Sequence, residues 1–194
     1  MLALLKQGFS QVNLMKDSTY QNIAQRSIEH LNDYNFDAFD LAIDSFKSKY
    51  ATHPSYPLLT SMKTYYRSAV DMNKSGEDTL YSNLLKKVIE YSKNILEKDK
   101  NSIEGTFFAL CGYGYLAQYY SDQDAFLKSI GEGKKAYKLY RKGKEFKNQF
   151  VEFYFMTGMY NYYIVQYPAN HPIVKPFMGF FDRGSKPIGI QHLT

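Results

Sequence analysis

The sequence predicts an all-α protein built from helices in antiparallel pairs, and three observations predict it. Apolar residues recur at spacings of three and four along most of the 194-residue chain, as they do on one face of an α-helix. Two aromatic stretches repeat with central glycines, Gly112 and Gly158, that lie 46 positions apart (158 − 112). A repeat of this length is typical of stacked helical units. The alternation typical of strands is missing from the sequence, so we expect no sheet.

Seven helices are expected, because each apolar stripe is bounded by turn residues. Asp17 is placed to cap the first helix, and Asp78 and Asp124 are placed to cap the fourth and the sixth. The second helix ends before Pro54, since the residue before a proline avoids helical angles. A polar and glycine-containing break at 74–76 separates the third helix from the fourth. The first helix is expected to begin at 17–18 and to be ended by residues 32–33, and the third to begin between 55 and 57 and to end at the break at 74–76. The other expected ranges are about 35–50, 78–98, 107–120, 124–143 and 148–166.

The fifth and seventh helices carry the repeated motif, FFALCGYGYLAQYY from residue 107 and FYFMTGMYNYYIVQY from residue 153. A glycine inside a helix costs about 1 kcal/mol relative to alanine. We therefore expect a neighbouring helix to approach closely at Gly112 and at Gly158, with Gly114 providing a second gap. The seventh helix is apolar nearly all round, so it is expected to be the most buried.

Residues 17–194 are expected to form a single helical-repeat domain. Within it, residues 168–187 form a long irregular stretch rich in proline, whose apolar side chains predict that it packs down on the helices. Helical pattern resumes at Ile188, and a unit interrupted in mid-helix predicts truncation at the C-terminus. Residues 1–16 are interpreted either as the remnant of a signal peptide or as an ordinary, weakly helical N-terminus.

Composition narrows the class of protein. The formal charge is +5 and 22% of residues are charged, which does not fit a disordered chain. Cys111 is the only cysteine, so no intrachain disulfide can form, and its apolar surroundings predict a buried, inert thiol. No run of 18 apolar residues occurs, so no transmembrane helix is expected.

Paired helices with a small residue in the first and a polar or proline-containing turn after the second resemble the tetratricopeptide family. The glycines Gly112 and Gly158 and the turns ATHP (51–54) and EKDKNS (97–102) carry the resemblance. Residues 36–193 also resemble a group of bacterial periplasmic or lipoprotein-like members. The matching phrases are NILEKDKNSIEGTFFALCGYGY, EGKKAYKLYRKGKEF, TGMYNYYIVQYP and GFFDRGSKPIGIQHL.

This resemblance implies an α–α superhelix of about three and a half helix pairs, with no established catalytic residues. It also implies an envelope setting, so a periplasmic or envelope-associated location is favoured over a cytoplasmic one.

Motifs for chemistry are absent from the sequence, and we expect no catalytic, cofactor-binding or metal-binding residues. The stretch GEGKK (131–135) lacks the first glycine and the final serine or threonine of a phosphate-binding loop. The four histidines are scattered, and none joins a carboxylate at the spacing of metal ligands. They are His30, His53, His171 and His192.

Residues 128–147 contain eight basic and two acidic residues, a net charge of +6 that leaves −1 for the rest of the chain. The ordinary interpretation is a solvated helix face. The alternative is a contact for an anionic partner, either a lipid headgroup or nucleic acid, and nucleic acid is disfavoured because no recognised binding motif accompanies the charge. The candidate patch is Lys134, Lys135, Lys138, Arg141 and Lys142.

Tyrosines concentrate on the two glycine-aromatic helices, where core packing is the simplest interpretation. The alternative is that some line the concave face of a superhelix and bind a partner. Position relative to the glycines assigns Tyr113, Tyr162 and Tyr163 to such a groove, and Phe108, Tyr115 and Tyr154 to the core.

The function predicted from these features is a non-catalytic scaffold that binds a protein or peptide. The alternative is a small-ligand or glycan binder of the cell envelope, with residues 168–187 as a pocket wall or lid. An enzyme is the third class considered.

Overall fold

A computed structural model describes residues 16–70, 77–146, 148–150 and 152–193. These residues contain no strand, which confirms the all-α prediction for them. The interpretations of residues 1–15 and the break at 74–76 lie outside the described residues. The helices are α1 (Ser18–Asn32), α2 (Phe36–Tyr50), α3 (Ser55–Val70), α4 (Glu77–Lys98), α5 (Ile103–Asp122), α6 (Phe126–Gly143), α7 (Glu152–Asn170) and α8 (Lys186–Leu193).

Side-chain caps explain several helix starts. Asp17 accepts a hydrogen bond from the Tyr20 amide at 2.9 Å, and Ser102 accepts one from the Gly105 amide at 3.1 Å. The expected cap at Asp124 is wrong, because this residue adopts a left-handed φ of 56° in the turn before α6. Asp78 lies within α4 rather than before it. Aspartate tolerates the left-handed conformation better than most residues do.

The C-terminal part is more helical than the sequence predicts. Helix α7 continues through Pro168 to Asn170, so the irregular stretch begins later than expected. A 3₁₀ segment, Pro172–Phe180, follows and packs on α6 and α7. Helix α8, which is eight residues long, then returns along α7, so the described residues contain eight α-helices rather than seven.

Helices α4 and α5 run antiparallel, and so do α7 and α8. Gly105 of α5 lies against Leu96 of α4, and Gly112 lies against Ile89. Residues later in α5 therefore contact residues earlier in α4. The larger core cluster joins α1 to α5 and includes Leu31, Phe39, Phe46, Leu85 and Val88. A smaller cluster joins α5, α6 and α7 and contains Leu110, Ala136, Tyr140 and Phe153.

The two copies of the repeated motif lie side by side in register. The rings of Phe107 and Phe153 are 6.2 Å apart, and Ser121 Oγ lies 2.5 Å from Tyr167 Oη. Both pairs join positions 46 residues apart, as the glycines are (153 − 107 and 167 − 121). Two contacts of the same offset, one near each end of the helices, show that α5 and α7 are parallel neighbours.

Both glycines lie where another helix approaches, as predicted. A Cβ on Gly112 would lie 2.8 Å from Ile89 Cγ1, and one on Gly158 would lie 2.9 Å from Leu193 Cγ. The partner differs, however, because Gly112 faces the preceding helix α4 and Gly158 faces the following helix α8. The second gap expected at Gly114 is wrong, since no atom lies within 4 Å of a Cβ at that position.

Helix α7 is not the most buried helix, contrary to the prediction. Ten residues of α5 are buried, whereas the described side chains of α7 include only Phe153 and Gly158 in that class. Helix α5 lies between α4, α6 and the larger core, while α7 packs on α6, the 3₁₀ segment and the short α8 and meets α5 through Phe107 and Ser121. Phe108 is buried as expected, but Tyr115 and Tyr154 are exposed, which corrects their assignment to the core.

Candidate partner-binding surfaces

The three tyrosines predicted to line a groove are placed on two helices. The rings of Tyr162 and Tyr163 on α7 meet edge-on with centroids 5.2 Å apart, and half of Tyr163 is exposed. Tyr162 is half-buried because α8 crosses it, and a Cβ on Gly189 would lie 2.7 Å from the Tyr162 amide nitrogen. Tyr113 on α5 is also half-buried and packs against both core clusters.

An exposed apolar stripe runs along α7 beside Tyr162. Phe155, Met159 and Tyr163 recur every four residues, which places them on one side of the helix, here called the outer face of α7. Phe155 is 52% exposed, and Met159 is partly exposed. The sequence analysis missed Phe155, because a helix that is apolar all round gives no signal of which side its neighbours leave uncovered.

The equivalent stripe on α5 is less exposed, with one residue buried and two half-buried. Subtracting 46 from the positions of the outer face of α7 gives Ala109, Tyr113 and Ala117. Ala109 is only 1% exposed, and α6 runs along Tyr113, with Lys135 Nζ 5.4 Å from the ring centroid. Helix α8 takes no equivalent place against α7, because it lies over Gly158 and Tyr162 instead.

Four aromatic rings, here called the aromatic clamp, join α6, α7 and the end of the 3₁₀ segment: Tyr137, Tyr140, Tyr160 and Phe181. The Tyr140 and Tyr160 rings stack at 4.3 Å, and Phe181 meets Tyr137 edge-on at 5.3 Å. Tyr160 Oη donates to the Asp182 carbonyl at 2.7 Å, and the Asp182 amide donates to Tyr137 Oη at 3.1 Å. The clamp therefore fixes the 3₁₀ segment to both helices.

Burial raises the pKa of all three tyrosines in the aromatic clamp above the ordinary tyrosine value. Loss of solvent is the largest cause in each case, because it disfavours the charged phenolate. The hydroxyls are therefore neutral at physiological pH, and Tyr160 keeps the proton that it donates to Asp182.

The predicted basic patch divides between two sides of α6. Lys134, Lys138 and Arg141 share one exposed side, at spacings of four and three. Lys135 and Lys142 lie about 100° around the helix, as successive residues do. Lys135 pairs with Glu132 at 2.9 Å, which raises the lysine pKa, and Lys142 donates to the Lys100 carbonyl. Three of the five predicted residues therefore form an exposed cationic side.

A buried polar group, which the sequence analysis did not find, lies in the larger core. His53 Nε2 is 3.3 Å from Glu104 Oε1, and His53 Nδ1 is 2.5 Å from Ser55 Oγ. The histidine ring lies between Tyr20 and Phe108, with centroids 5.8 and 5.2 Å away. Fifty-one positions separate His53 from Glu104 (104 − 53), so no local motif could have joined them.

This group ties the turn before α3 to the start of α5, and Ser55 is too buried to meet a substrate. Burial also raises the pKa of the nearby Cys111 thiol to about 12. Among the described residues, no group of three or more histidine, cysteine or acidic side chains is placed to hold a metal ion.

Comparison with protein-family models, curated proteins and solved structures finds no match to this chain. The described residues define a coarse class, an all-α protein of helices packed on one another. In that part of the chain, no helix combines the length and the hydropathy needed to cross a bilayer.

Proposed function

We propose that this protein is a non-catalytic scaffold of the tetratricopeptide type, in which α1 to α8 form a right-handed superhelix that binds a partner protein. The partner places a helical segment on the outer face of α7. The observation that carries the proposal is the exposure of Phe155 and Tyr163 at positions whose counterparts on α5, Ala109 and Ala117, are buried and half-buried.

The internal repeat argues that the occupant is a helix. On α5 the equivalent stripe includes Tyr113, which lies beside Lys135 of the helix α6, and its other two members are the small residues Ala109 and Ala117. On α7 the same positions hold Phe155 and Tyr163, whose larger rings suit contact with a separate chain. Aromatic side chains of this kind dominate the energetics of protein interfaces. In this proposal Tyr162 borders the site, and Tyr113 marks the corresponding place on α5.

Site-specific photo-crosslinking tests the proposal. A benzophenone side chain introduced at Phe155 or at Tyr163 should crosslink to one partner in cells that produce the protein. The same probe at Leu41, an exposed residue of α2, serves as the control and should not crosslink to that partner. The partner is then purified and titrated against the unmodified chain.

Serine variants measure how much the outer face of α7 contributes to the affinity for the partner. Phe155→Ser with Tyr163→Ser should weaken binding of the purified partner by at least about tenfold, because a buried aromatic anchor contributes more than about 1.4 kcal/mol. Leu41→Ser should leave binding unchanged. Equal binding by all three proteins would refute the proposal, and crosslinking only to a second copy of the chain would show self-association instead.

The alternative, an envelope binder of small ligands or glycans, assigns residues 168–187 to a pocket wall or lid. The described contacts attach this stretch to α6 and α7 and so oppose a moving lid, since Phe181 and Asp182 are held in the aromatic clamp. A thermal-shift screen of glycans and metabolites distinguishes the two functions. A clear rise in melting temperature with one ligand class would favour the alternative over the scaffold.

A further inference from the structure

A second exposed apolar surface lies on the 3₁₀ segment, away from the outer face of α7. Ile173 and Phe180 are each more than half exposed, and Val174 is the only buried residue of the segment. Pro176 and Gly179 follow Ile173 at spacings of three, which places them together on one exposed side of a 3₁₀ helix. Phe180 lies on the neighbouring side with Val174, but its ring is still 57% exposed. No atom lies within 4 Å of a Cβ built on Gly179, so this side projects into open space.

The exposed cationic side of α6 adjoins this segment. Lys134 Nζ lies 3.1 Å from the centroid of the Phe180 ring, and a Cβ on Gly133 would lie 4.0 Å from Phe181 Cζ. Lys138 and Arg141 continue the cationic side along the helix, and Lys175 projects from the segment itself. Apolar and cationic groups therefore form one continuous surface, here called the basic-apolar corner.

The aromatic clamp holds this corner in place. Tyr137 and Tyr160 both hydrogen-bond to Asp182, two residues after the segment ends, and Phe181 packs on Tyr137. Asp182 and Glu145, which follows Arg141 by four residues, are acidic residues beside the corner, and its four cations, Lys134, Lys138, Arg141 and Lys175, outnumber them. The charge of the corner therefore favours an anionic occupant.

We propose that the basic-apolar corner docks on an anionic lipid bilayer. Ile173 and Pro176 enter the boundary between headgroups and acyl chains, with the exposed Phe180 ring at the edge of the inserted side, while Lys134, Lys138 and Arg141 contact lipid phosphates. Shallow apolar insertion together with basic side chains is the combination that holds proteins on anionic membranes. An acidic peptide fits less well, because the apolar side chains project outward from a turn and do not line a groove. The inference is independent of partner binding at α7.

Vesicle co-sedimentation with the full chain tests the inference. The probes are vesicles of phosphatidylcholine and phosphatidylglycerol at 7:3 and vesicles of phosphatidylcholine alone, in 0.1 M NaCl. We expect binding to the mixed vesicles and little to the neutral ones. Absence of binding to the mixed vesicles, or equal binding to both, would overturn the proposal.

Two sets of variants separate the cationic contribution from the apolar one. Lys134→Gln with Lys138→Gln and Arg141→Gln should weaken partition roughly 100-fold, since each cation near the surface contributes about fivefold. The control, Lys86→Gln with Lys87→Gln and Lys93→Gln, removes the same charge from exposed residues of α4 and should have a small effect. Equal losses in the two triple variants would show non-specific attraction and overturn the site.

Ile173→Ser with Phe180→Ser should weaken partition at least about tenfold with the charge unchanged. Leu41→Ser with Leu80→Ser is the matched control, because both leucines are exposed elsewhere. Unchanged partition of the Ile173 and Phe180 variant would overturn insertion. If a 30-nucleotide single-stranded RNA bound as tightly as the vesicles and lost affinity with the same lysine variants, the surface would be a nucleic-acid site and the lipid proposal would be wrong. Circular dichroism establishes that each variant is folded.

Discussion

Helices α5 and α7 carry the same motif and lie side by side in register, yet their surroundings differ. Phe108 on α5 is 3% exposed, whereas Tyr154, at the equivalent position on α7 (154 − 46), is 41% exposed. Gly112 packs against α4, which is 22 residues long, whereas Gly158 packs against α8, which is eight residues long. A repeated motif can therefore be a core element in one copy and a surface element in the next, depending on which neighbours cover it.

The largest difference is expected from truncating the equivalent aromatic residues. Phe108→Ala should lower the free energy of unfolding by about 3–5 kcal/mol, because it leaves a cavity in the larger core. Tyr154→Ala should lower it by less than about 1 kcal/mol, since most surface substitutions have small effects. Urea titrations followed by circular dichroism measure both values. If Phe108→Ala fails to fold, Phe108→Leu should still cost more than Tyr154→Leu, and similar losses would contradict the comparison.

Two glycines of α5 should respond in opposite directions to the same substitution. Gly112→Ala brings a methyl group to 2.8 Å from Ile89 Cγ1, and such overpacking costs about 1–3 kcal/mol. Gly114→Ala meets open space and should stabilise the protein by about 0.5–1 kcal/mol through helix propensity. Urea midpoints of both variants, compared with the parent chain, provide the measurement. Stabilisation by both would show that α4 does not approach Gly112 as described.

A smaller, local effect is expected where α7 meets α8. A Cβ on Gly189 would lie 2.7 Å from the Tyr162 amide nitrogen, a backbone atom that cannot move aside without shifting the helix. Gly189→Ala should therefore release α8 and raise amide exchange in residues 186–193 by roughly tenfold. Global unfolding should change by less than about 1 kcal/mol, because α8 lies outside both core clusters. Unchanged exchange in α8, measured by mass spectrometry, would contradict the described crossing.

The mildest change to the structure moves a thiol between equivalent positions of α5 and α7, and the measured quantity is the reactivity of that thiol. Cys111 is buried, and its raised pKa of about 12 keeps it protonated at pH 8. Alkylation at pH 8 should be at least about 100-fold slower in the native protein than in urea, since only the thiolate reacts. The partner variant, Cys111→Ala with Thr157→Cys, places the thiol 46 positions later on the less covered helix. It should react faster than native Cys111, and equal rates would show that the two helices are equally protected.

The pKa of Cys111 also sets a direction for stability at high pH. Its value is raised in the folded state, so the unfolded chain loses this proton first as the pH rises above about 9. The contribution of this group to stability is complete below that value and declines as the pH approaches 12. Cys111→Ala should make the alkaline decline less steep.

Local patterns predicted most helices, and they did so for physical reasons. The cap at Asp17 and the turn before Pro54 act within a few residues, so the sequence displays them directly. The cap at Ser102 was missed, and those expected at Asp78 and Asp124 were wrong. The close approaches at Gly112 and Gly158 were predicted from the cost of a glycine inside a helix, but the same argument failed at Gly114, which faces open space. The division of the basic patch was also accessible, since Lys134 and Lys135 must lie about 100° apart.

The same patterns could not predict which sides of a helix are covered by residues distant in the chain. A helix such as α7, apolar all round, has no polar side to indicate solvent, so the exposure of Phe155 depends on where α8 lies. The contact of His53 with Glu104 joins residues far apart in the chain. The aromatic clamp likewise depends on how α6, α7 and Phe181 are brought together in the folded chain.

The contacts of Phe107 with Phe153 and of Ser121 with Tyr167 define a 46-residue module that protein engineering can repeat. A duplicated 46-residue block would place its own phenylalanine beside Phe153 and its own hydroxyl-bearing residue beside Tyr167, at the same two ends of the helix. The array could then be lengthened by gene duplication, with each added module presenting its own side chains to the one before it.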